Sequence, residues 1–462
     1  MKTLLKNCNL FTATDNTKCD IFISDGKISK IGLNLTPSGE TIVYDLEGFE
    51  VYPSGIDVHT HLGLVLAGQR SPDDFRDGTI SALRGGTTTV IDYIVPQKNE
   101  SLLKAFDKWR AEAEYSSVDY AGHMSLVGLP DLYFSEFPKL KDLGIGTLKC
   151  FGGYKGWNMQ NDEQMLKILE IAKRYSYLVL LHSENGFVIS YLEQRLRRQN
   201  KTRPEHHHLA HPSWAEGEST HRAIKLAQFI DTPLYIVHIS CAESAYEVAK
   251  ARMKGLPIIG ESCPHYLLLS EDVHSAGGLE SAKYLVTPPL RPKCHQEELW
   301  KHIINGDIQI IGTDNASYSP LQKSQGLDDF SKVPSGLPAV GLRIPLLYTY
   351  GVKRNKISRQ KFVEITSTNP AKIFGLQNRK GNIAVGLDAD ILVIDPNVEY
   401  TLTDENDPHN VGYSAFKGFN IECGVKYLFH RGRLVVQSGE YCGRSGDGEF
   451  LKLSGLDNIR LD

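Results

Sequence analysis

Short apolar runs alternate with helix-patterned segments along most of this chain. The runs at residues 88–95, 120–126, 147–151, 177–182, 234–239, 257–262 and 308–313 read as strands. The stretch V-Y-P-S-G-I-D-V-H-T-H-L-G-L, from Val51 to Leu64, adds another apolar run that ends in Gly and polar residues. Helical stretches at 101–114, 162–175, 219–229 and 242–254 lie between several of these runs. Repeated βα units imply a parallel sheet, and eight of them imply a closed barrel with its active site at the C-terminal ends of the strands. A doubly wound open sheet is the alternative, but no G-x-G-x-x-G turn opens a helix here, which removes the commonest reason to prefer it.

The two ends are patterned differently. Residues 3–6, 19–24 and 27–31 read as short strands, the last two joined by the hairpin turn Asp25-Gly26. Residues 389–394, 425–430 and 433–437 resume that character, separated by Asp-Pro, Arg-Gly and Ser-Gly turns. The expected architecture is therefore an α/β fold, a TIM-like (β/α)8 barrel over residues 53–376 with a small discontinuous β-sandwich domain built from residues 1–52 and 377–462.

Composition narrows the function classes. A chain of 462 residues exceeds one small core, so two or three units are expected unless a barrel takes up most of its length. The net charge is −4 and Lys and Arg are dispersed, so no basic stripe is offered to nucleic acid. No stretch approaches the roughly 20 apolar residues of a membrane span. The start M-K-T-L-L-K-N-C-N-L-F reaches Lys6 and Asn7 before a signal-peptide core can form, and the expected location is cytoplasmic. Eight cysteines without a C-x-x-C pair argue against a zinc ribbon, a redox motif and a disulfide framework.

The chemistry collects at the ends of the expected strands. His59 and His61 are two apart, so on an extended strand both imidazoles aim the same way, as metal ligands do. Taken alone, a His-x-His is more often a pair of ordinary core or surface histidines. Lys149 in G-T-L-K-C-F-G-G-Y, His182 in L-L-H-S-E-N-G, His238 in Y-I-V-H-I-S and Asp314 in I-I-G-T-D-N-A follow apolar strands in the same way. Six such residues on five strands would project into one mouth. A protonated Lys cannot bind a cation, but a buried Lys that has lost its proton can react with carbon dioxide to give an anionic carbamate able to bridge two metals.

The ordered set H-x-H, K, H, H, D resembles that of the amidohydrolase superfamily. The segments D-D-F-R-D-G-T, G-G-T-T-T-V-I-D, S-C-P-H-Y-L-L-L, T-P-P-L-R, S-T-N-P-A-K-I-F-G-L, R-K-G-N-I-A-V-G-L-D-A-D, Y-S-A-F-K-G-F and G-D-G-E-F-L look like those of dihydropyrimidinases and D-hydantoinases, across nearly the whole chain. The resemblance implies hydrolysis of a cyclic amide, a hydantoin or dihydropyrimidine, to the N-carbamoyl amino acid by a hydroxide bridging two divalent metals, usually zinc. It implies that His59, His61 and Asp314 hold the more buried metal and His182 and His238 the other. Lys149, as N6-carboxylysine formed with carbon dioxide, would bridge both. Asp314 would shuttle the proton, Tyr154 would steady the developing oxyanion, and Thr287 and Ser335 would hold the ring amide through backbone groups. The family is typically tetrameric, so a homo-oligomer acting on a small molecule, without nucleic acid or membrane, is expected.

Some positions depart from the family pattern. Asn315 stands where hydantoinases commonly have His, and Ser335-Gly336 replaces Asn-Gly in the substrate loop. Dihydroorotases and allantoinases typically carry an Arg soon after H-x-H, and none lies between His61 and Arg70, which favours an uncharged ring over an acidic one. An allantoinase or other ureide ring opener is the alternative. A second is a non-catalytic scaffold of the same fold, which retention of all six ligand candidates argues against. The run Glu205-His206-His207-His208 with His211 is expected to be a surface or subunit-contact feature outside catalysis.

Overall fold

The computed structural model describes residues 2–458. Its centre is a parallel eight-stranded sheet. The strands are β1 (Gly55–Thr60), β2 (Thr87–Ile94), β3 (Asp119–Ser125), β4 (Thr147–Phe151), β5 (Leu178–His182), β6 (Leu234–Ile236), β7 (Ile258–Ser262) and β8 (Ile310–Ile311). Each pairs with its sequence neighbour, and a parallel bridge between Thr60 and Asn315 returns the last strand to the first. This is the TIM barrel expected from the alternation of strands and helices.

Two-residue periodicity sorts the side chains of each strand. Leu178 and Leu180 fill the barrel interior with Ile91, Tyr235, Ile259 and Ile310, while Val179 and Leu181 face the surrounding helices. The same parity points Lys149 and His182 inward. Strand β1 departs from it. Ile56 and Val58 are interior residues, so strict alternation would turn His59 and His61 outward. A register shift between Asp57 and Thr60 in the pairing with β2 breaks the alternation and aims both histidines into the mouth.

Strands expected at 234–239 and 308–313 are shorter, ending at Ile236 and Ile311. Beyond them the backbone turns to positive φ, 39° at His238 and 52° at Asp314, which takes these residues out of the ladder and over the barrel mouth.

The discontinuous β unit built from both termini is a nine-stranded sheet. Ile391–Asp395 pairs antiparallel with Glu50–Pro53, so the two ends of the chain share one ladder immediately before β1. The hairpin between Asn16–Ser24 and Lys27–Gly32 turns through Asp25 and Gly26, at φ 54° and 79°, the two left-handed residues of a tight hairpin. Among the described residues no helix is long and apolar enough to cross a membrane.

Candidate metal centre

His59, His61 and Asp314 offer ligand atoms within 4.8 Å of one another. Asp314 Oδ1 lies 3.0 Å from His59 Nε2 and 3.1 Å from His61 Nε2. On the other side of the mouth, His182 Nδ1 is 2.9 Å from His238 Nε2. The rings of His59 and His238 are 5.5 Å apart, which brings the two groups into one site. Gly312 permits the approach of β8, because a Cβ there would sit 2.9 Å from the Cβ of His59.

Two carboxylates behind the rings orient them, and neither was assigned a role from sequence. His59 Nδ1 donates to Glu261 Oε1 at 2.5 Å, and Glu261 is itself held by the Tyr235 hydroxyl at 2.7 Å. His182 Nε2 donates to Glu184 Oε2 at 2.8 Å, while Glu184 Oε1 accepts from His211 Nδ1 at 2.8 Å. Committing one ring nitrogen to a carboxylate fixes the tautomer and turns the other nitrogen toward a cation. Glu184 follows His182 by two residues in H-S-E-N-G and was therefore visible as a candidate; Glu261 sits mid-strand with no local signal.

Electrostatics sharpen the picture. Burial raises the Asp314 carboxyl, but His59 and His61 outweigh it and hold the group well below the carboxylate range. Burial lowers His59, and the Glu261 and Asp314 charges reverse this, holding it at about 9. Lys149 is 2% exposed, and burial pushes its ammonium down to about 8. Its Nζ lies 4.8 Å from the centre of the Tyr93 ring and, among the described residues, forms no ion pair with a carboxylate. The residues present fit divalent metals. His59 Nε2, His61 Nε2 and Asp314 Oδ1 converge on one point, and imidazole nitrogens with a carboxylate oxygen are the donor set that zinc, manganese, cobalt or iron accepts.

The structure brings the remaining sequence candidates to the same place. Lys149, Tyr154, Thr287 and Ser335 line one chamber of about 100 Å³ with the four histidines and Asp314. Tyr154 packs its ring 4.8 Å from that of His182, and burial pushes its phenol upward, so the hydroxyl stays a donor near neutrality. Thr287 Oγ1 and Ser335 Oγ are 3.1 Å apart across the chamber rim. Asn315 serves the backbone: its Oδ1 accepts from Ala339 N at 2.8 Å and Val340 N at 3.1 Å, and its carbonyl accepts from His61 N at 2.9 Å.

A second chamber of about 560 Å³ adjoins the first and shares Leu66, Tyr154, Trp157, Thr287 and Ser335 with it. It corrects the surface placement expected for the histidine run at two of its positions. His207 and His211 are buried in its wall, their rings 4.5 Å apart, because residues 204–210 fold as a 3-10 turn against the barrel mouth instead of lying on the surface.

Comparisons with known proteins agree with this geometry. Residues 51–435 match the family described as the amidohydrolase family. The chain is 40% identical to the D-hydantoinase of Geobacillus stearothermophilus, covering 100% of this chain and 98% of that one. It is 35% identical to the dihydropyrimidinase of Rattus norvegicus, over 94% of this chain and 85% of that one. The crystal structure of dihydropyrimidinase from Brevibacillus agri superposes with a TM-score of 0.97 at 38% identity, covering 100% of both chains.

Proposed function

The chain belongs to the amidohydrolase family, and on that premise we propose that it is a metal-dependent cyclic amidohydrolase that opens a hydantoin or dihydropyrimidine ring to the N-carbamoyl amino acid. The observation that carries this reading is the convergence of His59, His61, Lys149, His182, His238 and Asp314 on one small chamber. A scaffold without catalysis has no use for such a set. His59, His61 and Asp314 would hold one divalent metal and His182 and His238 the other, zinc by the family pattern, and Lys149 carboxylated by carbon dioxide would supply the anionic ligand to both. When bound, the metals acidify a water toward neutrality and polarise the ring carbonyl.

The chain's own groups do the rest. Asp314, ionised through the neutral range because its carboxyl is held low, is the carboxylate lining the chamber that would take the proton of the attacking water and pass it to the departing ring nitrogen. Tyr154 donates its hydroxyl to the oxyanion as charge develops. Backbone groups at Thr287 and Ser335 hold the ring amide at the chamber rim. Arg70, the first arginine after the histidine pair, pairs with Glu112 at 2.8 Å, and no arginine is among the described residues that line either chamber. That supports an uncharged ring over dihydroorotate.

A panel of hydantoin, 5-substituted hydantoins, dihydrouracil, allantoin and dihydroorotate with metal-replete protein tests the assignment. Opening of hydantoins or dihydrouracil, abolished by a chelator, is the expected result. Opening of allantoin or dihydroorotate alone would overturn it.

A further inference from the structure

Lys323 is fully buried and has no carboxylate partner among the described residues. Its helical turn, Pro320–Lys323, starts at a capping box made by Ser319 and Gln322. Its Nζ donates to three backbone carbonyls, Gly336 O at 2.9 Å, Pro334 O at 3.1 Å and Leu285 O at 3.3 Å. These oxygens belong to the two segments that carry Thr287 and Ser335. The segments also join directly, through Gly336 N to Leu285 O at 3.0 Å and through the two hydroxyls already described. Position 336 accepts only glycine, since its φ is 139° and a Cβ there would meet Ala316 O at 2.1 Å.

An ammonium has three N–H donors, and here three acceptors converge on it. A neutral amine would turn its lone pair on one of the carbonyls. Burial pushes Lys323 down to about 7, and the charged form is the one that satisfies all three oxygens. A cation buried without an anion is costly unless hydrogen bonded, so the position calls for a role beyond filling space.

We propose that Lys323 is a positioning residue for the substrate ring, clamping residues 285–287 and 334–336 so that Thr287 and Ser335 present their backbone groups to the inner chamber. It touches no reacting atom. The inference rests on the reading that these two segments hold the ring amide.

Lys323→Gln keeps up to two donors and Lys323→Met keeps none. The clamp predicts that KM for the best ring substrate rises about tenfold in the first and further in the second, while kcat stays within about twofold. Metal content per subunit stays at the wild-type value in both. Hydrogen exchange followed by mass spectrometry should quicken in residues 285–287 and 334–337 of both variants and stay unchanged around residues 58–61. If Lys323→Met fails to fold, Lys323→Gln decides alone. An unchanged KM with unchanged exchange overturns the proposal, as does a fall in kcat at constant KM. If the wild-type protein opens no ring, the functional reading falls, and the exchange pattern still decides whether the clamp exists.

Discussion

Lys149 and Lys380 lie at opposite ends of the barrel, equally buried at 2% exposure, and their ammonium groups are driven in opposite directions. Among the described residues Lys149 has no carboxylate in ion-pair reach, and burial pushes it down. Lys380 Nζ lies 2.5 Å from Asp119, 2.6 Å from Asp390 and 3.1 Å from Asp388, and their charges outweigh burial and raise it. Asp119 begins β3, while Asp388 and Asp390 come from the terminal β unit, so this cluster joins the two parts of the fold. By distance alone the three aspartates resemble a metal site as closely as His59, His61 and Asp314 do, since both sets offer ligand atoms within 4.8 Å. The difference lies in what fills the middle. The acidic set already contains its cation, whereas at the mouth Asp314 faces only the imidazoles of His59 and His61 and, among the described residues, forms no ion pair with a lysine or arginine. A cluster of donors is therefore read as a site only after its internal charges are matched.

The sharpest way to break this contrast is to remove each lysine. Lys149→Ala should lower ring opening at least about a thousandfold while the apoprotein unfolds at nearly the wild-type temperature. Lys380→Met should do the reverse. Removing the cation that three buried carboxylates share, while Asp388 keeps Arg379 and Asp119 keeps Arg431, costs about 3–5 kcal/mol in denaturant unfolding, with turnover per folded molecule within about twofold of wild type. Equal effects of the two on turnover would erase the distinction.

Smaller changes sharpen it. Glu184→Gln weakens the hold on the His182 ring, and metal affinity measured by competition with a chelator should fall about 10- to 100-fold. Smaller still is the pH effect at the junction. Asp119 is lowered in the folded protein, against burial, by Lys380, His430 and Arg431. Its contribution is present above its unfolded value of about 3.9 and is lost as pH falls through its folded value. Lys380, raised, contributes fully below its unfolded value of about 10.4 and loses this only as pH rises through its folded value. The stability gap between wild type and Lys380→Met should therefore stay level from mildly acidic to mildly alkaline pH and narrow below about pH 4. A gap that widened in acid would contradict the assignment.

Much of this was legible in the residues. Strand β4 carries Lys149 with the inward parity that its pattern predicts, and β5 does the same for His182. The hairpin at Asp25-Gly26 was readable because its left-handed pair demands those residue types. The helix Cys294–Asn305 and the strands Thr41–Asp45 and Glu50–Pro53 were not, since their local patterns are weak and long-range pairing decides them. At the site, the donors could be read because each closes an apolar run. Glu261 could not, because its role depends on a histidine 202 residues away in the chain. His207 and His211 looked like surface residues for the opposite reason: composition describes a run of histidines and says nothing of the wall it folds against.

Metal content per subunit, measured by mass spectrometry on protein prepared without chelators, tests the central claim most directly. Two divalent metals per wild-type subunit, lost on Lys149→Ala and retained on Lys380→Met, is the predicted result. Fewer than one per wild-type subunit would contradict it.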